Sequence, residues 1–322
     1  MKHALAPLAL LLIAAAPKPV SEPPPVWEVK TVAPDATDVR QQTYVVKAGE
    51  TMSHVALRTG ASIDAIGRAN RIAPPYAVRP GMRLKIPAGR YHQVGRGESG
   101  IAIARAYGVD WSRIATLNHL EEPYLLRAGQ RLLIPSAKEV ATMTLEQRAA
   151  AFRIDIDDLV TGAEPALAPK AKPAAPVRTA ARKLPPTVAV SAPPQRFAGR
   201  FAWPLTGKVL RRFGQLGDGG RNDGIDIATS IGMPVRAAAD GVVAFAGTLA
   251  GFGELVLIRH GDGWLTAYGH AQKLLVRRGQ AVAQGDTIAQ AGASGSAPRP
   301  QLHFEVRERR RPVNPLSLLP AR

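Results

Sequence analysis

Residues 222–228 read NDGIDIA, residues 266–270 read TAYGH, and residues 301–305 read QLHFE. The last fragment alternates polar and apolar residues, which is typical of a β-strand with one face in the core. Residues i and i+2 of a strand lie on the same face, so Gln301 and His303 are expected to point into one cleft. The three fragments supply imidazole, carboxylate and amide groups at short spacing on predicted strands. They are therefore the candidate site around which the C-terminal region is organised.

The region 197–322 is predicted to be all-β. Short apolar runs alternate with glycine- and aspartate-rich turns, as in GELVLIRHGDGWLTAYGH at 253–270 and QLHFEVRE at 301–308. Hairpin turns are predicted at Asp240-Gly241, Gly261-Asp262-Gly263 and Gly285-Asp286. The expected architecture is an antiparallel sheet domain, as two packed sheets or a half-barrel.

This region resembles the lysostaphin/LytM-type zinc endopeptidase domain over essentially all of 201–320. The resemblance rests on NDGIDIA, PVRAAADGVVAFAG, GFGELVLIRHGDGWLTAYGH, VAQGDTIAQAGASG and LHFEVR…VNPLSLL. The resemblance implies that in active members a His and an Asp four residues later bind zinc. It also implies that a His-x-His strand supplies one catalytic and one zinc-binding histidine. A further catalytic histidine lies in a Tyr-x-His fragment.

Two of these positions differ here. Asn222 occupies the position of the first zinc ligand, and Gln301 that of one catalytic histidine, whereas Asp226, His270 and His303 are kept. An amide oxygen is a poor zinc ligand, and glutamine cannot exchange a proton near neutral pH. We therefore expect no active catalytic residues and no cofactor, with His270 and Gln301 as vestigial catalytic positions and Asn222, Asp226 and His303 as vestigial metal positions. An alternative stays open, in which Asp226, His270 and His303 hold zinc and the domain cleaves cross-link peptides of peptidoglycan.

Similar losses mark the NlpD/EnvC-type murein hydrolase activators, which the sequence resembles through DGIDIA, YGHAQKLLV and LHFEVR…VNPLSLLP. That resemblance implies a non-catalytic domain whose cleft engages a periplasmic N-acetylmuramoyl-L-alanine amidase during daughter-cell separation. The partner-binding cleft would comprise the same five positions: Asn222, Asp226, His270, Gln301 and His303. A third possibility is a wall-binding protein whose C-terminal domain is inert.

An internal repeat precedes this domain. Residues 43–87 and 91–135 align at a constant offset of 48, with identities at glycine, proline and asparagine positions such as Gly49/Gly97 and Asn70/Asn118. Each copy is predicted as strand, helix, helix, strand, so each is a small α+β (βααβ) module. In the first copy Ser62 is the expected N-cap of the second helix, and Val55, Ala56 and Leu57 are expected to face inward. In the second copy Asp110 is the expected N-cap.

The repeats resemble LysM domains through AGETMSHVALRTG…I…AN…VRPGMRLKIP. The resemblance implies binding of N-acetylglucosamine-containing glycan, usually peptidoglycan, at the start of the first helix and the loop after the second. The alternative is a duplicated packing module with no ligand. Candidate glycan-binding residues are Gly49, Glu50, Thr51, Asn70, Gly97, Glu98, Ser99 and Asn118.

The remaining segments are assigned by composition. Residues 136–163 are predicted to be a short helical segment, with a capping box formed by Thr144 and Gln147. Residues 164–196, rich in Pro, Ala and Lys/Arg, are expected to be an extended linker that holds the domains apart. Residues 17–42 are expected to be a disordered spacer.

Residues 1–16 have a basic start, an apolar run and an Ala-Ala-Ala end, which predict a signal peptide and a periplasmic location. The run is too short for a stable transmembrane anchor, and because the chain has no cysteine we expect no lipid anchor. The net charge of +17 favours anionic polymers. Export makes nucleic acid an unexpected partner and leaves peptidoglycan and the amidase as the expected ones.

Single residues outside these motifs are assigned to structure. His54, His92, His119 and His260 are predicted to be exposed, and the Arg307–Arg311 cluster is predicted to be a solvated face. Trp203, Trp264 and Tyr268 are predicted to be in the core.

Overall fold

The computed structural model describes residues 30–121, 124–144, 154–179, 184–185, 188–190, 197, 200–217 and 220–321. The helices of the described part are α1 (Met52–Thr59), α2 (Ile63–Ala69), α3 (Gly100–Tyr107), α4 (Trp111–Leu117), α5 (Ala137–Thr142) and α6 (Ile156–Gly162), with a 3-10 turn at Pro315–Ser317. The strands of the repeats are β1 (Thr37–Val39), β2 (Gln42–Val45), β3 (Arg83–Ile86), β4 (Gly89–Gln93) and β5 (Arg131–Ile134). Those of the C-terminal domain are β6 (Val209–Arg211), β7 (Gly214–Gln215), β8 (Arg221–Asn222), β9 (Ile225–Ala228), β10 (Pro234–Arg236), β11 (Gly241–Leu249), β12 (Gly253–Gly261), β13 (Trp264–Leu274), β14 (Ala281–Val282), β15 (Thr287–Ala291), β16 (Gln301–Glu308) and β17 (Arg311–Val313).

Both repeats have the predicted βααβ order. In the first, β2 pairs antiparallel with β3 and the two helices lie between them in sequence; in the second, β4 pairs with β5. The predicted caps are confirmed, since the Ser62 hydroxyl accepts from the Ala65 amide and the Asp110 carboxylate accepts from the Ser112 amide. One inward assignment was wrong, because Leu57 is 66% exposed whereas Val55 is fully buried.

The segment before the repeats is ordered where it is described, so the disordered-spacer prediction for 17–42 is wrong over residues 30–42. Strand β1 pairs with β4, and Val39 and Val32 are buried in the cores of the first and second repeat. Burial of these valines and pairing of the strand stabilise a segment whose composition alone predicted disorder. Residues 1–29, and with them the predicted signal peptide, lie outside the described residues.

Helix α6 is packed between the second repeat and the C-terminal domain. Its apolar residues Ile156, Leu159 and Val160 are buried against Ile101 of α3 and a set of sheet residues, namely Ala244, Phe245, Leu249, Leu255, Leu257, Leu265 and Ala267. The Trp111 indole N–H donates to the Thr161 hydroxyl at 3.0 Å. Residues 145–153, with the predicted capping-box partner Gln147, lie outside the described part of the chain.

The extended-linker prediction for 164–196 is wrong for the segment that follows α6. Residues 165–167 pair with the second repeat, and Leu167 and Val177 are buried. Glu164 accepts from Arg278 of the C-terminal domain at 2.9 Å. Backbone N–H and C=O groups make much of this contact, and they pair regardless of side chain. A composition rich in proline and alanine therefore did not indicate it.

The C-terminal domain is antiparallel β, as predicted. Its main sheet has the order β14-β11-β12-β13-β16-β9-β6, and in addition β15 pairs with β13 and with β10, and β17 pairs with β16. One face packs against loops and outer strands through residues such as Val256, Tyr268 and Phe304, and α6 covers part of the other face. Among the three predicted hairpin turns, only Gly261-Asp262-Gly263 joins strands that pair with each other, β12 and β13.

Five single-residue assignments are corrected by the fold. His260 is 2% exposed and donates from Nδ1 to the Asp240 carbonyl at 2.7 Å. His92 is also buried, with its Nε2 3.0 Å from Glu98. Arg307 is buried rather than solvated, whereas Trp203 and Trp264 are only partly buried. None of the helices in the described part has the length and apolar character needed to cross a membrane.

Candidate functional site

One face of β16 carries four polar side chains in a row. Gln301, His303, Glu305 and Arg307 alternate with Leu302, Phe304 and Val306, which are buried in the domain core. Alternate residues of a strand lie on opposite faces, so the four polar residues share one face. The two neighbouring strands are in register with this face. Asp226 of β9 lies opposite His303, and Leu265 of β13 lies opposite Arg307.

The His303 imidazole is held between two carboxylates. Its Nδ1 lies 2.7 Å from Oδ1 of Asp226, and its Nε2 lies 3.0 Å from Oε1 of Glu305. Both ring nitrogens therefore face acceptors, an arrangement that fits the protonated imidazolium. Burial alone lowers the pKa of His303, but the hydrogen bonds to Asp226 and Glu305 outweigh it and raise the pKa to about 9. At neutral pH this site holds a cation of its own.

The donor set does not fit a hydrolytic zinc centre. Zinc needs three protein ligands, and within the described residues no group of three His, Asp or Glu side chains is placed to hold a metal ion. The third predicted position, Asn222, is 6% exposed, and its amide nitrogen donates to the Arg212 carbonyl at 3.3 Å. An amide used in this way adds neither the charge nor the basicity of imidazole.

The remaining vestigial positions lie beside this pair. The rings of His270 and His303 have centroids 5.9 Å apart, and the His270 Nδ1 donates to the Ser294 carbonyl at 2.9 Å. Burial lowers the pKa of His270, so its ring is neutral at pH 7. Its backbone has φ 67°, at a point where the register of β13 shifts against β12. Such a bulge turns a side chain out of the regular alternation, which places His270 toward His303.

Gln301 is 4% exposed, and its backbone N–H donates to the Gly292 carbonyl at 3.0 Å. The structure thus brings His270 and His303 together and keeps Gln301 on the same strand face. All five residues of the predicted partner cleft are largely enclosed, since the His303 side chain is 12% exposed and the other four residues are buried. In this conformation they form the floor of the site rather than an open surface.

A row of alternating charges links this floor to α6. On one side Arg211 lies 3.6 Å from Asp226. On the other side Glu305 accepts from Arg307 at 2.8 Å, and Arg307 donates to Asp157 of α6 at 2.7 Å. Burial raises the pKa of Asp157, opposed by the adjacent Arg307 charge. The vestigial site and the covering helix therefore belong to one electrostatic network.

Sequence reasoning missed Glu305, Arg307, Arg211 and Asp157. The signal for the first two was present, because the period-two alternation that selected Gln301 and His303 continues through positions 305 and 307. Nothing local identified Asp157, since its partner is 150 residues away.

The candidate glycan residues divide into structural and accessible ones. In each repeat the asparagine fastens the second helix to the closing strand: Asn70 donates to the Ile66 and Lys85 carbonyls, and Asn118 to those of Ile114 and Leu133, all at 2.8 Å. A structural role accounts for both. The glutamates are also held locally, Glu50 by the Tyr44 hydroxyl and Glu98 by His92.

The loop positions differ between the repeats. Gly49 and Thr51 are exposed, whereas Gly97 and Ser99 are buried. The first repeat thus presents the predicted glycan loop to solvent and the second does not.

Family models agree with this architecture. The LysM domain model matches residues 44–87 and 92–135, and the model of peptidase family M23 matches residues 220–315. The two repeats and the C-terminal domain predicted from the sequence are therefore confirmed as members of these domain families.

A full-length relative decides the family. The chain is 32% identical over 294 residues to the murein hydrolase activator NlpD of Salmonella dublin, covering 87% of this chain and 68% of that protein. The chain belongs to the NlpD family. Two further relatives match over shorter stretches of the chain. The lipoprotein NlpD/LppB homolog of Pseudomonas aeruginosa is 48% identical over 125 residues, and the cell division protein DipM of Caulobacter vibrioides is 45% identical over 129 residues.

Those two matches cover 38% of this chain in each case, and 41% of the Pseudomonas protein and 21% of DipM. The chain thus spans less than half the length of these two relatives. NlpD-family membership therefore rests on the Salmonella alignment, which runs through repeats and M23 domain together.

Proposed function

We propose that this chain is a non-catalytic, peptidoglycan-binding activator of a periplasmic N-acetylmuramoyl-L-alanine amidase, acting in cell-wall remodelling and daughter-cell separation. The observation that carries the proposal is the His303 imidazolium held by Asp226 and Glu305 inside an M23 domain. In the zinc endopeptidases that the domain resembles, the positions of Asp226 and His303 are metal ligands, whereas here the two side chains bind each other. The domain is retained while the chemistry of its site is replaced.

Three further features support the proposal. LysM repeats imply peptidoglycan binding, and two of them precede the M23 domain. The net charge of +17 favours an anionic wall polymer. The Salmonella relative carries the name murein hydrolase activator, and the P. aeruginosa relative is called a lipoprotein, a name in keeping with the cell envelope. We place this chain in the same compartment, held at the wall by its repeats.

The test is a reconstituted hydrolysis assay. Dye-labelled peptidoglycan is incubated with the purified chain, with an N-acetylmuramoyl-L-alanine amidase, and with both. We expect no dye release from the chain alone and a several-fold stimulation of the amidase. Chelator-sensitive release by the chain alone, abolished in His303→Ala, would instead establish the zinc metalloendopeptidase alternative. Wall binding without stimulation of any amidase would favour an inert C-terminal domain.

A further inference from the structure

The segment Glu164–Leu167, here called the strap, lies across two loops of the second repeat, the loop before α3 and the loop after α4. The Gly97 N–H donates to the Ala166 carbonyl at 3.1 Å, and the Ala166 N–H donates to the Glu98 carbonyl at 2.7 Å. On the opposite loop, the Leu167 N–H donates to the Leu126 carbonyl at 2.9 Å, and the Ala128 N–H donates to the Leu167 carbonyl at 2.7 Å. The strap therefore bridges the loop before α3 and the loop after α4 with four backbone hydrogen bonds.

These are the loops to which the LysM resemblance assigns glycan. In the first repeat the equivalent backbone atoms, the Gly49 N–H and the Glu50 and Val78 carbonyls, have no hydrogen-bond partner among the described residues. Pro80 stands where the second repeat has Ala128, so the first repeat cannot form the fourth bond at all. The first groove is open and built differently, whereas the second is filled by the chain itself.

The occupant of the second groove resembles the expected ligand in chemistry. A peptide unit presents one N–H donor and one C=O acceptor, and so does the acetamido group of an N-acetylated sugar. Two occupants that need the same donors and acceptors in one groove exclude each other. A glycan can therefore enter the second repeat only when the strap leaves it.

The strap is also continuous with the helix that covers the M23 sheet. Thr161 of α6 accepts a hydrogen bond from the Trp111 indole of the second repeat, and the Val160 carbonyl accepts one from Arg259 of the sheet. Glu164, the first residue of the strap, is paired with Arg278 of the M23 domain. Removing the strap from its groove would break the backbone bonds that follow α6 directly, and would leave the Thr161–Trp111 bond and the packing on Ile101 as the remaining links of α6 to the second repeat.

We propose that the second LysM repeat is a glycan-operated latch: an N-acetylated glycan displaces the strap from its groove and thereby loosens α6 from the M23 sheet. The inference rests on the proposed glycan binding and deepens it, by giving the two repeats different roles. The open first repeat anchors the protein at the wall, and the closed second repeat couples glycan density to exposure of the M23 face.

The absence of cysteine allows a direct test in the full chain. Ser99 and Pro165 are antiparallel bridge partners, so Ser99→Cys/Pro165→Cys is designed to lock the strap by a disulfide. The reduced form of the same protein is the matched control, because both forms share the loss of the Ser99 cap. Chitopentaose is titrated by calorimetry, and amide hydrogen exchange of residues 154–168 is measured with and without it.

The reduced protein is expected to bind chitopentaose at two sites and to exchange faster over residues 154–168 when the sugar is bound. The oxidised protein is expected to bind at one site with no change in exchange. Two sites and equal exchange in both forms would overturn the latch while leaving glycan binding intact. Failure of every form to bind chitopentaose or isolated peptidoglycan would overturn the proposed wall binding, and the latch with it.

An independent variant opens the latch. Ala166→Pro removes the N–H that donates to Glu98, whereas Ala168→Pro is a control at a position whose N–H donates to no described residue. If the strap keeps the groove closed most of the time, opening it raises the apparent affinity of the second site, by about tenfold for a strap bound nine-tenths of the time. An unchanged second-site affinity in Ala166→Pro, with a normally folded spectrum, would contradict the proposal.

Discussion

The Nδ1 of His303 lies 2.7 Å from Oδ1 of Asp226, within the range of a charge-assisted hydrogen bond. The resemblance to zinc endopeptidases makes both residues ligands of a common metal ion. In this chain the proton between them satisfies the carboxylate directly, and Glu305 satisfies the other ring nitrogen at 3.0 Å. These two contacts make His303 part of a structural ion-pair cluster on the floor of the site.

This ion pair predicts a loss of stability at alkaline pH. The pKa of His303 is raised from 6.5 to about 9, so its contribution is fully present below pH 6.5 and is lost as pH rises through about 9. A shift of this size corresponds to a contribution on the order of 3 kcal/mol. Urea unfolding of wild type and His303→Asn at pH 6 and pH 10 should show a large difference at pH 6 and a small one at pH 10.

The exposed His119 provides the control for that experiment. His119 adopts a positive φ of 53°, which asparagine tolerates, so His119→Asn should leave the pH profile unchanged. A His303→Asn difference that is the same at both pH values would show that the proton plays no part.

His260 should behave in the opposite way. Burial lowers its pKa from 6.5 to about 4, so the native ring stays neutral while the unfolded chain takes up a proton below pH 6.5. Its effect on stability is therefore a loss that begins below pH 6.5 and is complete below about pH 4. In an NMR titration of the histidine ring protons, the His260 signal, assigned with His260→Asn, should not move between pH 8 and pH 5. A midpoint near 6.5 would indicate that the ring is accessible to water.

Breaking the pair between Glu164 and Arg278 tests whether the segment after α6 is docked. Arg278→Met leaves a buried carboxylate without its cation and should destabilise the chain by about 3 kcal/mol in urea unfolding. The neighbouring exposed Arg277 is the matched control, and Arg277→Met should change stability by less than about 0.5 kcal/mol. Equal effects of the two substitutions would mean that the segment is detached in solution.

Asp157→Asn should weaken the attachment of α6 to the sheet. The substitution removes a carboxylate 2.7 Å from Arg307, and such charge-assisted bonds contribute about 1.5–3 kcal/mol. Amide exchange in residues 154–162 should therefore accelerate by about tenfold or more. Glu308→Gln, an exposed change on the same strand as Arg307, should not alter exchange in α6. Unchanged amide exchange in Asp157→Asn would show that the row of charges does not hold α6 on the sheet.

Restoring the missing ligand should restore metal binding. Asn222→His adds an imidazole as the third donor, beside the Asp226 carboxylate and the His303 imidazole. We expect about one zinc per chain by elemental analysis. Asn222→Gln retains an amide and should bind no more zinc than wild type. About one tightly held zinc in the wild-type chain would contradict the replacement of metal by a proton.

Periodic features of the sequence predicted most of the fold. The 48-residue repeat and the alternation in QLHFE depend on local spacing, and the structure confirms the βααβ modules and the antiparallel sheet. What the sequence could not indicate depends on distant partners. His260 sits beside a turn but is enclosed by aromatic rings including Phe197 and Phe201. The strap has a linker composition, and only the fold provides the loops with which its backbone pairs.

The sequence predicted which residue types form the site, but not that His303 is protonated or that the site is enclosed. The resemblance to the zinc endopeptidases identified Asp226, His270 and His303, while the carboxylate of Glu305 that fixes the second nitrogen of His303 lies two residues further along the same strand. The contact of His303 with Asp226 depends on the register of β16 with β9, which local sequence does not specify.

The docked segment after α6 has a mechanical consequence. A slack tether lets two domains diffuse independently, so tension on one is not felt by the other until the tether is taut. Here the second repeat is joined to the M23 sheet through Trp111 and Thr161 and through the pair of Glu164 with Arg278. A pull on the repeats would therefore load these contacts directly, and the force at which they part would set when the two halves of the molecule separate.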